Sequence, residues 1–274
     1  MPLDRRTLLL VTAGGVVVAA CGQDEAVPPP PDEQGKGRFA YGDDPSQFGE
    51  LSLPESAPRG VVVVIHGGFW KAEYDLSLGR PLAESLVQQG WAAWNIEYRR
   101  VGSGGGYPAT FDDVAAAIDK LADLEVDTTT VVALGHSAGG HLGVWAAGRD
   151  KYDAWPATVK VTGVISQAGV LDLVGASELG LGGGAVAALL GHPATAADET
   201  VDPLAQVPLG VPVYCVHGSG DTIVPPVQSE TYVGAAVGEG ADAELVEVDG
   251  DHFVVIDVTS EAWRTQLELL DRLG

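Results

Sequence analysis

Cysteine is scarce in this chain of 274 residues: Cys21 and Cys215 are the only two. Their surroundings differ so much that a disulfide between them is not expected, and no Cys/His cluster with metal-ligand spacing occurs, so neither a metal nor a cofactor is implied. Basic charge is also short, with 15 Lys and Arg against 38 Asp and Glu, a formal charge of −23. Phosphate binding needs a clustered basic face, which argues against a nucleic-acid partner. The acidic excess reads as a soluble surface. The apolar run at 8–20 falls short of a transmembrane helix, which takes roughly twenty residues.

What is present is 46% apolar content, enough for the core of one large domain, or a domain with appendages. The first residues do not read as part of that fold. Arg5-Arg6 precede the apolar run at 8–20, which fits the hydrophobic region of a secretory signal. Paired arginines before a weakly hydrophobic, glycine-containing run resemble a twin-arginine export signal. Val18-Ala19-Ala20-Cys21 resembles a bacterial lipobox, whose cysteine is acylated. Residues 1–21 are thus expected to direct export to the cell envelope, with a lipid on Cys21 anchoring the chain to the outer face of the cytoplasmic membrane. Residues 22–37 hold four consecutive prolines, Pro28 to Pro31, among polar residues and read as a spacer. The folded domain is expected over 38–274.

Within it, Val61-Val62-Val63-Val64-Ile65 is a β-branched run typical of a strand buried on both faces of a parallel sheet. Further strands are expected at 91–96, 130–133, 161–166, 211–216 and 243–248, with edge strands at 39–41 and 50–53. Helices are expected at 76–89, 107–124, 141–147 and 227–237, and in a last segment that aligns Trp263, Leu267 and Leu270. Such alternation means an α/β fold: a doubly wound, mostly parallel sheet with helices on both faces, whose sites lie at the carboxyl ends of the strands. The glycine-rich interval 173–208 breaks the rhythm and is expected to form a small cap.

The chemistry centres on Gly135-His136-Ser137-Ala138-Gly139, between a β-branched strand and a helix. A serine between glycines at such a junction is a nucleophile elbow, in which a tight turn lifts the hydroxyl clear of the strand tip. His66-Gly67-Gly68-Phe69-Trp70 leaves the tip of the Val61 strand. Its backbone, bare at Gly67 and Gly68, would aim the N–H groups of Gly67, Gly68 and Phe69, with that of Ala138, at one spot as an oxyanion hole. A serine needs a base held by a carboxylate. Of the six histidines, His252 falls in the loop after the last strand, where the fold returns a base over the elbow. His66 and His136 are expected to orient backbone, His141 to point away, and His217 to brace a loop; His192 lies in the irregular interval. Asp221 follows the strand at 211–216 and completes the order Ser, Asp, His. Asp172 is its rival, while Asp249 and Asp251 read as solvated.

Four ordered motifs, His66 to Trp70, Gly135 to Gly139, Gly218 to Asp221 and Asp251-His252, resemble α/β-hydrolases of the esterase, feruloyl-esterase-like and kynurenine-formamidase-like group. The resemblance covers the chain from about Phe39 onward and implies hydrolysis of a small-molecule ester or amide through an acyl-enzyme. It gives Ser137, His252 and Asp221 the roles of nucleophile, proton carrier and imidazole holder, with no cofactor. Phe69 and Trp70 near the oxyanion tip would line the substrate site. A carboxylesterase is expected. The alternatives are an arylformamidase or small amidase, a peptidase, and a non-catalytic lipoprotein that keeps the fold. The oligomeric state is not encoded in any of these features.

Overall fold

A computed structural model describes residues 37–274. The expected export signal, Cys21 and nearly all of the 22–37 spacer lie outside the described residues. Strands β1 (Gly37–Ala40) and β2 (Phe48–Ser52) form an antiparallel edge. Strands β3 (Val61–Ile65), β4 (Ala92–Ile96), β5 (Val131–His136), β6 (Gly163–Gln167), β7 (Val213–Gly218) and β8 (Ala243–Val248) run parallel. The sheet order is β1-β2-β4-β3-β5-β6-β7-β8.

The β3 run shows why the sheet is double-sided. Val61, Val63 and Ile65 enter one core, with Trp94, Phe111, Leu142 and Trp145. Val62 and Val64 enter the other, with Leu82, Leu86, Trp91 and Trp263. Every residue of the strand is buried, and each such aliphatic side chain contributes about 1.5–3 kcal/mol when removed from water. Helices α2 (Ala109–Asp119), α3 (Ala138–Gly148) and α6 (Val227–Gly238) supply the first core, whereas α1 (Arg80–Gln88) and α7 (Glu261–Asp271) cover the second.

Two expected helices are shorter than their apolar patterns. The segment at 76–89 opens as a 3-10 turn, Leu76–Gly79, and becomes α-helical only where Pro81 occupies the first turn of α1. The segment at 107–124 ends its α-helix at Asp119 and closes as a 3-10 turn. The interval 173–208 holds α4 (Leu173–Glu178) and α5 (Leu181–Leu190), the latter opened by Gly182, Gly183 and Gly184 in the left-handed region. Among the described residues, no helix is long and apolar enough to cross a membrane.

The register positions the site. Ile65 pairs with Gly135, so the loops leaving β3 and β5 start side by side although β4 and two helices separate them in sequence. The loops after β7 and β8, whose strands pair from Val213 with Ala243 to Gly218 with Val248, emerge at the same edge.

Candidate active site

Ser137 joins β5 to α3 at φ 56° and ψ −115°, a strained conformation for a residue with a side chain. The glycines around it answer to close packing. A Cβ on Gly135 would stand 2.0 Å from the carbonyl oxygen of Gly139, and a Cβ on Gly139 would stand 2.0 Å from that of Ile65. Backbone on both sides leaves no room, so this spacing of glycines is a steric condition for seating the turn against β3.

The loop after β3 lies beside the elbow. A Cβ on Gly67 would meet the His136 carbonyl oxygen at 2.8 Å and Ser137 Cβ at 3.1 Å. Among the described residues, no acceptor is bonded to the N–H groups of Gly67, Gly68 or Phe69, nor to that of Ala138 in the first turn of α3. Phe69 and Trp70 hold positive φ values, 52° and 55°. The loop is clamped from beneath by His66, whose Nδ1 lies 2.8 Å from the carbonyl oxygen of Gly67 and whose Nε2 lies 3.1 Å from Glu97 Oε1. Tyr98 donates its hydroxyl to the His66 carbonyl at 2.8 Å and stacks on the His66 ring. Glu97 also accepts the N–H of Leu76 and of Tyr98. This buried carboxylate was not singled out from the sequence; the available signal was an acid at the tip of the apolar strand 91–96.

Asp221 and His252 meet: Nδ1 of the imidazole is 2.6 Å from Oδ2 of the carboxylate. Asp221 Oδ1 accepts the N–H of Ile223 and of Val224. Burial opposes ionisation of Asp221, but contacts from His217, His252 and the Val224 N–H outweigh it and hold the carboxyl well below the usual range. Ser137 and His252 are both buried, and no hydrogen bond joins them here. Catalytic hydrogen bonds of this kind often tighten only when substrate binds. The two residues are tied through His136, whose Nε2 lies 3.0 Å from the carbonyl oxygen of His252 and whose ring centre is 4.6 Å from that of His252. Burial, then the neighbouring His252, push His136 down to about 3, so it faces that imidazole as a neutral ring.

The remaining candidates lie elsewhere. Asp172 caps α4 by accepting the N–H of Gly175. Asp251 is exposed and accepts the N–H of Phe253. His141 points into the core, with Nε2 on the Val201 carbonyl at 2.9 Å, and burial pushes it down to about 4. His192 is exposed near Asp198. Trp70 requires a correction: it is 0% exposed and packs edge-on to His141 in the core, so it supports the loop after β3 and presents no wall to a substrate. Phe69 is half-buried, and the 173–208 interval leans on it. A Cβ on Gly182 would strike the Phe69 ring at 2.6 Å, while Lys71 Nζ donates to the Gly182 carbonyl at 2.8 Å. Among the described residues, no group of three or more His, Cys, Asp or Glu could hold a metal.

Solved structures share this architecture. A truncated carbohydrate esterase from gut microbiota superimposes with a TM-score of 0.72 at 20% identity, over 89% of this chain and 98% of that one. Esterase 2 of the planctomycete Thermogutta terrifontis, in its form phosphonylated by sarin, gives 0.71 at 24% identity over 88% and 95%. An acetyl ester-xyloside bifunctional hydrolase from Caldicellulosiruptor lactoaceticus gives 0.69 at 21% over 86% and 94%. At these identities the likeness establishes the α/β-hydrolase fold. No curated protein matches the chain. The BD-FAE family model matches residues 51–235, more than half of the chain and the whole path from β3 through α3 to β7, and the chain belongs to the BD-FAE family.

Proposed function

We propose that this protein is a serine hydrolase that cleaves small carboxylic esters through an acyl-enzyme. The observation that carries the reading is the 2.6 Å contact between Asp221 and His252 on loops at the same sheet edge as the Ser137 elbow. In the proposed reaction, Ser137 Oγ attacks the ester carbonyl while His252 Nε2 takes its proton. Negative charge develops on the carbonyl oxygen and is met by unbonded N–H groups of Ala138 and of the Gly67-Gly68-Phe69 loop; one such donor is worth about 3–4 kcal/mol of barrier. His252 then protonates the departing alkoxide, leaving the acyl group on Ser137. Water, deprotonated by the same imidazole, releases the acid. Asp221 holds Nδ1–H throughout and stabilises the imidazolium.

The neighbours support the reading as analogues: three are named as esterases or ester hydrolases, and one of these is phosphonylated by sarin, an electrophile of the kind that would trap an activated nucleophile here. The test is turnover of p-nitrophenyl acetate by the wild type and by Ser137→Ala. Loss of turnover in the variant supports the assignment; equal turnover in both refutes it. The proposal extends to location: Arg5-Arg6 and the Val18-Ala19-Ala20-Cys21 stretch support export and acylation at Cys21. Cys21→Ser should release the protein from membranes, and retention of that variant on membranes would rule out the anchor.

A further inference from the structure

His217, at the end of β7, is 0% exposed and enters none of the steps above, yet it lies against the carboxylate on which they depend. Its Nε2 is 3.2 Å from Asp221 Oδ2 and 2.9 Å from the Val224 carbonyl oxygen. Both are acceptors, so Nε2 must carry a proton to face them. The opposite nitrogen, Nδ1, is 2.7 Å from Oγ of Ser229, whose hydroxyl can donate to it. Ser229 is also 0% exposed, in the first turn of α6. One neutral tautomer of His217 therefore satisfies every neighbour. Asp221 Oδ2 is hydrogen-bonded by His252 at 2.6 Å and lies 3.2 Å from His217 Nε2, whose proton it shares with the Val224 carbonyl, while Oδ1 takes two backbone N–H groups.

We propose that His217 is a positioning residue for the reaction: its Nε2–H fixes the Asp221 carboxylate in the orientation that His252 requires, and Ser229, on Nδ1, holds the His217 ring in place. The proposal rests on the esterase reading above. Removing the N–H leaves a buried carboxylate with one fewer donor beside it and freer to rotate away from His252. The other ionisable groups facing the cluster are His136 on the tip of β5 and Cys215 on β7, beside Ser229. Burial pushes the first down to about 3 and the second up to about 12, so both remain neutral and Asp221 carries the charge. Asp251, on the His252 loop, turns its carboxylate to the Phe253 N–H.

The test compares His217→Leu, His217→Gln and Ser229→Ala with the wild type in the pH dependence of kcat/KM for p-nitrophenyl acetate. In His217→Leu, kcat should fall about tenfold with KM changed by less than about twofold. The acid limb, which reports protonation of the general base, should move down, because a carboxylate free to turn away stabilises the His252 imidazolium less. His217→Gln keeps an N–H donor at the same reach and should recover most of the loss. Ser229→Ala removes the partner of Nδ1, loosens the ring against Asp221 and should move the acid limb in the same direction. A folded His217→Leu with unchanged kcat and acid limb overturns the proposal, as does an equal loss in Gln and Leu. If His217→Leu does not fold, Ser229→Ala decides: an unmoved acid limb overturns the proposal. The imidazole 15N spectrum of wild-type His217 reads the tautomer without any substrate. It should show a proton on Nε2, and a proton on Nδ1 defeats the proposal. A wild type inactive toward esters would defeat the esterase reading alone, since the tautomer is read separately.

Discussion

Ser137 keeps a positive φ because strand β5 and helix α3 hold the turn from both sides, and in the proposed reaction that strain keeps the hydroxyl clear of the sheet edge. Asp221→Asn preserves the shape of the site but offers an amide where His252 Nδ1–H needs an acceptor of full charge. On p-nitrophenyl acetate, kcat should fall by roughly 10⁴ with KM little altered; a loss of less than about tenfold would remove Asp221 from the mechanism. At this scale, the residues legible in the sequence were those set beside glycines at strand ends: Ser137 in its elbow, Asp221 after Gly218, and His252 after Gly250. Trp70 was misread because the motif places it near the chemistry, whereas the left-handed backbone at Phe69 and Trp70 turns its ring into the core. Glu97 was not legible, since its partner His66 comes from the neighbouring strand and only the sheet order brings them together; the Asp221-facing side of His217 was not legible because it depends on how the loop after β7 folds back over four residues.

Among the elements, the strands were the most readable: the continuous β-branched run at 61–65, which admits few other environments, and the short apolar segment interrupted by two glutamates at 243–248 both match the observed spans. Helix limits shifted where apolar periodicity continued into 3-10 turns, as at Leu76–Gly79 and Lys120–Asp123. The interval 173–208 has no strong periodicity, and its shape follows from four glycines, Gly180, Gly182, Gly183 and Gly184, in the left-handed region. Its contact with the loop after β3 yields a prediction. Gly182→Ala adds a Cβ against the Phe69 ring and at a φ of 59°, which costs about 1–2 kcal/mol. Displacing Phe69 moves the loop that would carry the oxyanion donors, so kcat/KM should drop at least about tenfold. Steady-state kinetics on a variant that still unfolds cooperatively checks this. Unchanged kcat/KM would separate the 173–208 interval from the chemistry.

Taken whole, the molecule carries an acid-sensitive core. Unfolding exposes His136 and His141, which return to ordinary imidazole behaviour near 6.5, while the folded chain refuses their protons until about 3 and about 4. The unfolded state therefore binds more protons below about pH 6.5, and stability falls as pH falls through that window. Asp202 works the other way. Buried, with its carboxylate on the N–H groups of Leu173 and Leu204, it is pushed up to about 6, so the folded state holds a proton there that the unfolded state releases above about 4. Two histidines against one carboxyl leave a net excess of about one proton in the unfolded state between about pH 4 and 6, a slope near 1.4 kcal/mol per pH unit. Asp202→Asn should steepen it toward twice that value, read by urea unfolding at several pH values; a flat or reversed slope would contradict the account. The central claim concerns one oxygen atom, Ser137 Oγ, and the most direct measurement is a fluorophosphonate adduct mapped by peptide mass spectrometry. One adduct per chain, on the peptide containing Ser137 and strongly slowed in His252→Ala, is the result expected. An unmodified Ser137, or an adduct elsewhere in the chain, would contradict it.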